Sequence, residues 1–223
     1  MGINRRNFVF STPFLALAGC TTAQPELRQM GSLISPQYVA MYGPVEGEPF
    51  PVPAVDLSEV NPDFLRREVE YNGREPAGTI VVDPGARYAY LVLSPGRAIR
   101  YGVGVGKEEA FNFQGEAIIA RKAEWPRWTP TANMIRREPE RYAQFAGGME
   151  GGPTNPLGPR ALYLYRNGRD TYYRLHGTTE PSTIGTMVSS GCVRFINQDI
   201  IDLYRRVPVN SRVVVRPSSG VMS

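Results

Sequence analysis

Short runs of apolar and β-branched residues, separated by turn residues, dominate the chain from Thr79 onward. Runs of this kind favour strands. We predict strands at 79–83, 87–93, 98–104, 116–123, 161–165, 171–176 and 212–216. The dipeptide Asn167-Gly168 predicts a tight hairpin between two of them. Repeated short strands with such turns are typical of a β-sandwich or barrel, so we predict a mainly β fold.

Two helical segments interrupt the strand pattern. Residues 198–207 place apolar side chains on one helical face, and Asn197 before them has the chemistry of an N-cap. A shorter helical piece is predicted within 56–71, because Asn61 is a cap residue and Pro62 suits the first helical position. The predicted fold is therefore a β-sandwich or barrel of mixed strands with a short helix in the C-terminal half.

The first 20 residues have the pattern of an export signal. Arg5 and Arg6 supply positive charge, and the apolar stretch at 8–19 is too short for a bilayer, which takes about 20 residues. The segment ends in Leu-Ala-Gly-Cys, which resembles a bacterial lipobox whose Cys20 carries lipid. The paired arginines also resemble a twin-arginine export signal. The alternative is an ordinary signal peptide in which Cys20 is incidental.

Proline content separates the next part of the chain from the strand-rich part. The prolines of 21–54 predict an extended tether rather than a folded unit, and we group residues 21–76 as tether and short N-terminal extension. The main domain is predicted at 77–217, with a tail at 218–223. Within it, residues 125–160 form a long Pro/Gly-rich insertion, which is typical of a lid or a binding wall.

Charge and residue counts exclude several functional classes. The net charge is +4, and the arginines are dispersed, without the basic stripe expected of a nucleic-acid surface. One histidine, and one cysteine beyond Cys20, give no spacing for a zinc site. The glycines of 102–106 depart from the dinucleotide fingerprint. We therefore predict no metal, no cofactor and no nucleic-acid partner, and we expect a monomer.

The only histidine, His176, and the only cysteine beyond the first 20 residues, Cys192, lie at the two ends of one loop. Strand alternation places His176 on one face of 171–176 and Cys192 on one face of an extended 189–196. Small residues in the loop allow the two ends to meet. His176 would then act as general base toward Cys192, and a thiolate–imidazolium pair would lower the pKa of the thiol.

Residues beside this pair have predicted supporting roles. Arg194 would favour the thiolate or hold a substrate carboxylate, the alternative being a surface salt bridge. Gly191 would let a substrate backbone approach closely. The N–H of Cys192, with that of Gly191 or Ser190, would hold a developing oxyanion. A backbone carbonyl near Gly177 would orient the imidazole.

Each of these residues also has a structural interpretation. Cys192 alone could be a buried inert cysteine, and His176 alone a satisfied structural histidine. Trp128 is predicted to line a substrate groove, whereas Tyr163 is predicted to pack in the core. Asn155 either shapes its loop or contacts substrate.

The residues around the pair resemble the active-site signature of the L,D-transpeptidase family (YkuD-type, ErfK/YbiS-like). The signature segments are His176-Gly177-Thr178, Ile184-Gly185 and Ser189-Ser190-Gly191-Cys192-Val193-Arg194. Further segments resemble the family in the same order, at 78–83, 125–130, 155–158 and 202–204, so the resemblance covers about 77–216. Ser190 departs from the pattern, since many members carry a second histidine there.

The resemblance implies a cysteine acyltransferase of peptidoglycan synthesis with an L,D-transpeptidase-like fold. Such enzymes attack the amide between meso-diaminopimelate and the terminal D-alanine of a stem tetrapeptide. Cys192 would form a thioester, and a second stem's amine or water would resolve it, giving 3-3 cross-links, protein attachment to the wall, or hydrolysis. Family members are typically blocked by carbapenems at this cysteine.

Two alternatives share the fold. One is an L,D-carboxypeptidase or amidase, which differs only in its acceptor, and the other is a non-catalytic wall-binding lipoprotein. With lipid on Cys20, the protein would lie on the periplasmic side of the cell envelope. Thr21 rather than aspartate follows, which favours the outer membrane in a Gram-negative host.

Overall fold

The computed structural model describes residues 35–94, 96–107, 113–189 and 191–217. The predictions for the export signal, Cys20, residues 21–34, Ser190 and the tail at 218–223 lie outside these residues. None of the helices in the described ranges is long and apolar enough to span a membrane.

Ten strands in the described residues form one mixed β-sheet. They are β1 (Arg67–Tyr71), β2 (Ile80–Asp83), β3 (Tyr88–Ser94), β4 (Gly96–Gly106), β5 (Gly115–Glu124), β6 (Arg160–Arg166), β7 (Arg169–His176), β8 (Met187–Ser189), β9 (Val193–Phe195) and β10 (Arg212–Val215). All seven predicted strands are present, within two residues at either end. The mainly β prediction is confirmed.

The sheet closes on itself through the long strand β4. The order is β1-β4-β3-β2-β10-β5-β6-β7-β9, and β9 pairs back to β4. The first half of β4 pairs with β1, and Val103 and Gly104 in its second half pair with β9. The pairs β2–β10, β4–β8 and β7–β9 are parallel. The result is a closed barrel of mixed strands.

The predicted Asn-Gly hairpin joins β6 and β7. Asn167 and Gly168 have φ values of 53° and 73°, in the left-handed region that this two-residue turn requires. The hairpin matters for the site, because it brings β7 and its last residue, His176, back along β6.

Four α-helices lie in the described residues: α1 (Pro36–Met41), α2 (Ala132–Arg137), α3 (Pro139–Tyr142) and α4 (Asn197–Arg206). Helix α4 was predicted, and its Ile200 and Leu203 are fully buried in the barrel's main apolar cluster. The predicted cap is wrong. Ile196 occupies the N-cap, Asn197 is the first helical residue, and its Oδ1 accepts a hydrogen bond from the Thr178 N–H at 2.9 Å.

The described part of the N-terminal extension is folded onto the barrel, so the tether prediction is wrong for residues 35–54. Tyr42 is only 1% exposed, and its hydroxyl donates to Asp199 Oδ2 at 3.1 Å. Gln198 Nε2 donates to the carbonyls of Gly43 and Pro53 at 3.0 and 2.9 Å. Side chains of α4 thus satisfy backbone groups that a proline-rich segment does not pair within itself.

The short helical piece predicted within 56–71 is present where Asn61 and Pro62 indicate its start, but it is a single turn. Only one 3₁₀ turn forms, at Pro62–Phe64, where Asn61 Oδ1 accepts the Asp63 N–H at 2.9 Å as a cap. The chain then continues as β1, paired antiparallel with β4. Long-range pairing therefore overrides the local helical pattern.

A buried ion pair joins the extension to the start of β6. Arg160 donates to Glu48 at 2.8 and 2.5 Å, with both side chains almost completely buried. Trp125 Nε1 also donates to the Glu48 carboxylate, at 2.9 Å. Because Trp125 lies at the start of the 125–160 insertion, Glu48 fixes that end of the insertion to the barrel.

Candidate active site

The candidate site lies where β7 runs parallel to β9. Leu175 pairs with Val193, and both side chains are buried in the core. The next pair along, His176 and Arg194, therefore faces the opposite side of the sheet. Cys192 immediately precedes β9, two residues before Arg194. The pairing of β7 with β9 brings His176 next to the strand that follows Cys192, and a contact between the His176 and Cys192 side chains stays a prediction.

The imidazole of His176 is held by the chain's next carbonyl. Its Nδ1 lies 2.6 Å from the Gly177 oxygen, which can only accept, so Nδ1 carries the proton and Nε2 is an acceptor. The predicted orienting carbonyl near Gly177 is confirmed. His176 is 5% exposed, and burial, followed by the nearby Arg194 charge, lowers its pKa to about 4.

The thiol of Cys192 is a free, half-buried group. Its Sγ lies 3.8 Å from the Tyr172 carbonyl oxygen. Burial raises the pKa of Cys192, and the backbone N–H and guanidinium of Arg174 oppose that rise. Both shifts disfavour a thiolate–imidazolium pair in the ligand-free protein, and the predicted pair remains to be tested.

A hydroxyl that the sequence analysis did not single out shapes the turn before Cys192. Ser189 Oγ donates to the Cys192 carbonyl at 2.7 Å and accepts the Gly191 N–H at 3.1 Å. Gly191 has φ 130°, a conformation that favours glycine. Because its N–H is engaged by Ser189, Gly191 is not the oxyanion donor that we predicted, and its backbone conformation explains its presence better.

Gly177 is required by close packing at the start of the loop. A Cβ there would collide with Asn197 Oδ1 and would lie 2.9 Å from Pro159 Cδ. The same Asn197 oxygen accepts the Thr178 N–H. The first residue of α4 therefore fixes the backbone whose carbonyl orients His176.

Arg194 forms the salt bridge that the sequence analysis left open as an alternative. Its Nη1 lies 2.9 Å from Glu180 Oε2, and the two side chains are 17% and 53% exposed. Glu180 belongs to the loop between β7 and β8. The pair is on the His176 side of the sheet, because Arg194 is the register partner of His176.

Arg174 and Asp170 stabilise the irregular part of β7 next to the thiol, and the sequence analysis missed this pair. The Arg174 guanidinium binds both carboxylate oxygens of Asp170 at 2.7 Å. Asp170 also accepts the N–H of Tyr172, whose φ of 62° breaks the strand alternation that we predicted through this residue. Opposite charges four residues apart were the available signal in the sequence. That spacing predicts an ion pair on a helix, whereas here the pair forms at a bulge in a strand.

The two residues predicted near a groove have structural contacts. Asn155 is fully buried, donates to the carbonyls of Pro126 and Glu150 at 3.0 Å each, and accepts the Leu157 N–H at 2.9 Å. It therefore shapes the loop, and the substrate-contact alternative is wrong.

Trp128 is half-buried and packs edge-on against two rings of the same insertion. The ring centroids of Tyr142 and Phe145 lie 6.1 and 5.8 Å away. These contacts make Trp128 part of the insertion's own apolar packing, and its groove role stays a prediction.

Across the described ranges, no group of three or more His, Cys, Asp and Glu side chains is placed to hold a metal ion.

The fold and the site define a class: a closed β-barrel in which a buried histidine ends one strand and a free cysteine precedes the parallel strand beside it. Residues 77–215 match the model of the YkuD family, described as the L,D-transpeptidase catalytic domain. The chain therefore belongs to the YkuD L,D-transpeptidase family, and the predicted family resemblance is confirmed.

Similar proteins include probable L,D-transpeptidases named ErfK/SrfK. The Escherichia coli K12 protein is 38% identical over 115 residues, which is 51% of this chain and 35% of that protein. The Salmonella typhimurium protein is 33% identical over 160 residues, 69% of this chain and 45% of that protein. The matches thus cover less than half of each relative.

Two solved structures are also similar to this chain. A Brucella melitensis protein described as a probable carnitine operon oxidoreductase CaiA is 50% identical, covering 69% of this chain and 94% of that one, with a TM-score of 0.49. An L,D-transpeptidase from Mycobacterium smegmatis is 15% identical, covering 62% and 58%, with a TM-score of 0.43.

Proposed function

We propose that this protein is a peptidoglycan L,D-transpeptidase that acts by cysteine acyl transfer. Its donor would be the stem tetrapeptide, cleaved between meso-diaminopimelate and the terminal D-alanine. The observation that carries the proposal is the register of β7 and β9, which supports a contact between His176 and Cys192 across neighbouring strands. The family match over 77–215 supports the same reaction class.

Acylation begins from neutral groups. Nε2 of His176 accepts the thiol proton as the Cys192 sulfur attacks the amide carbon, so the ion pair forms along the reaction rather than beforehand. The Nδ1–H bond to the Gly177 oxygen stabilises the imidazolium that appears. The imidazolium then protonates the D-alanine nitrogen, the C–N bond breaks, and the stem remains as a thioester on Cys192.

Deacylation reverses these proton transfers. Nε2 of His176 takes a proton from the attacking amine of a second stem, a new amide forms, and the sulfur leaves and is reprotonated. Attack by a stem amine gives a 3-3 cross-link, and attack by a protein amine attaches that protein to the wall. Starting from a neutral imidazole suits both steps, because the ring must accept a proton in each.

Charge development in the first step needs nearby donors. The Cys192 N–H is our candidate for the oxyanion, with Ser190 as the second predicted donor. Arg194 is our candidate for the donor's carboxylate. Arg194 lies two residues beyond Cys192, which is roughly 7 Å along an extended chain. In the donor, the carboxylate carbon of D-alanine lies three bonds from the carbon that the sulfur attacks.

Anchoring through Cys20 belongs to the same proposal. Lipid on that cysteine would hold the enzyme at the cell envelope, on the periplasmic side, and would raise its effective concentration at the wall. Intact-mass measurement of the mature N-terminus tests this point. A diacylated Cys20 is expected, and an unmodified N-terminus at another residue would contradict it.

Product mapping on purified peptidoglycan tests the proposed reaction. Wild type is expected to convert tetrapeptide stems to 3-3 dimers with release of D-alanine, and Cys192→Ala is expected to form none. Tripeptide stems without dimers would assign the L,D-carboxypeptidase alternative. No product from either wild type or Cys192→Ala would leave the non-catalytic wall-binding lipoprotein.

A further inference from the structure

Glu180 lies in the loop that connects the two halves of the candidate site. Its N–H donates to Thr178 Oγ1 at 3.0 Å, and its carbonyl accepts from Thr183 Oγ1 at 2.6 Å. The backbone at Glu180 is therefore fixed by its neighbours in the loop. The side chain alone reaches across to Arg194, where its carboxylate meets Nη1 at 2.9 Å.

The partner in this contact is the guanidinium that our proposed mechanism assigns to substrate. Arg194 pairs in register with His176 and lies two residues beyond Cys192. A guanidinium presents a planar set of N–H donors that fits a carboxylate, and Glu180 already occupies part of this set. The internal carboxylate thus has the same chemistry as the C-terminal group of a stem tetrapeptide.

The energetics allow exchange. Glu180 is 53% exposed, and ion pairs with one well-exposed member contribute roughly 0–1 kcal/mol. Such a contact is strong enough to hold the guanidinium in place and weak enough for another carboxylate to displace. Opening it requires only side-chain rotation, since the hydrogen bonds at Glu180 that fix the loop are made by its main chain.

We infer that Glu180 is an internal competitor for the donor carboxylate: it occupies Arg194 in the free enzyme and is displaced when a stem ending in D-alanine binds. The inference rests on the proposed donor and makes Glu180 a specificity-determining residue. A donor without a free terminal carboxylate does not replace the lost ion pair. Selection for a free C-terminus follows from this exchange.

Binding measured in a Cys192→Ala background tests the exchange without turnover. The probes are the stem tetrapeptide and the same peptide amidated at its C-terminus, titrated by calorimetry. Glu180→Gln is expected to tighten the Kd of the free acid roughly two- to five-fold, the equivalent of the lost competing ion pair. The Kd of the amide is expected to stay unchanged.

Two further variants make the result specific. In an Arg194→Gln background, Glu180→Gln is expected to leave the Kd of the free acid unchanged, because the shared partner is gone. Glu68→Gln removes a carboxylate about as exposed as that of Glu180 from its pair with Arg97, formed between β1 and β4, and is expected to change neither Kd. An unchanged Kd for the free acid in Glu180→Gln, or equal tightening of acid and amide, would overturn the inference.

This test is separable from that of the proposed function. A thioester on Cys192 together with an unaltered Kd in Glu180→Gln would contradict the role of Glu180 and support the transpeptidase reaction. Tighter binding of the free acid without any thioester would contradict the reaction and support the role of Glu180.

Discussion

His176 and Arg194 lie directly opposite each other on the parallel strands β7 and β9. The register places a permanent positive charge beside an imidazole that is already buried, and both effects lower the pKa of His176. Cys192 lies two residues before Arg194, and burial raises the pKa of its thiol. The two shifts favour a neutral imidazole and a protonated thiol at pH 7.

The resting protonation state can be read from the thiolate's ultraviolet absorbance. Because the pKa of Cys192 is raised and that of His176 is lowered to about 4, we expect no thiolate signal near 240 nm at pH 7. Difference spectra between wild type and Cys192→Ser across a pH titration measure it. A thiolate band at pH 7 that disappears in His176→Ala would show a preformed ion pair instead.

Substitutions of His176 and Ser190 distinguish the contributions of these two residues to acylation. His176→Ala is expected to lower the acylation rate by roughly 10²–10⁴-fold, the usual contribution of a general base. Ser190→Ala is expected to lower it much less, since only a backbone donor is assigned there. Carbapenem acylation followed by intact mass gives both rates. Equal losses in the two variants would give the Ser190 side chain a role that our mechanism lacks.

The buried ion pair between Glu48 and Arg160 is expected to be a large stability determinant. Removing one partner leaves a buried charge unpaired, so Glu48→Ala should lower the free energy of unfolding by about 3 kcal/mol. Glu68→Ala breaks an exposed pair and should cost less than about 1 kcal/mol. Urea denaturation compares the two. Equal small losses would show that the extension contributes little to folding.

Two buried groups have opposite effects on the pH dependence of stability. Burial raises the pKa of Asp199 to about 7, so the folded state binds an extra proton between pH 4 and 7 and loses stability as pH rises. The pKa of His176 is lowered to about 4, so the unfolded state binds the extra proton between pH 4 and 6.5, and stability rises with pH. In wild type the two slopes oppose each other.

Single substitutions should expose each slope. From pH 4.5 to 6.5, Asp199→Asn is expected to gain stability relative to wild type as pH rises, and His176→Gln to lose it. Each difference should be on the order of 1 kcal/mol per pH unit. Denaturant midpoints at several pH values measure both. Parallel curves for wild type and Asp199→Asn would mean that Asp199 is ionised in the folded state, paired with Arg66.

Local patterns were sufficient for most of the barrel but not for the elements that depend on distant partners. Strand β7 and its Asn167-Gly168 turn follow from alternation and turn chemistry. Strand β1 was not predicted, because its partner β4 lies about 30 residues further along the chain. Strands β8 and β9 are three residues each, too short to show a period.

The N-terminal extension shows the same limit more strongly. Its prolines predict an extended tether, but residues 36–41 form a helix, and the burial of the extension depends on Gln198 and Asp199, more than 140 residues away. In the site, residue types were enough to single out His176 and Cys192, because each is the only residue of its kind there. The Ser189 hydrogen bonds and the Arg174–Asp170 pair depend on backbone conformations at Gly191 and Tyr172 that alternation does not predict.

The most direct test of the account is the mass of the protein after reaction with stem tetrapeptide in the absence of an acceptor. We predict a thioester adduct equal to the stem minus D-alanine, mapped to the peptide containing Cys192 and absent in Cys192→Ala. An adduct on another residue, or one that survives Cys192→Ala, would contradict the assignment of this thiol as the nucleophile.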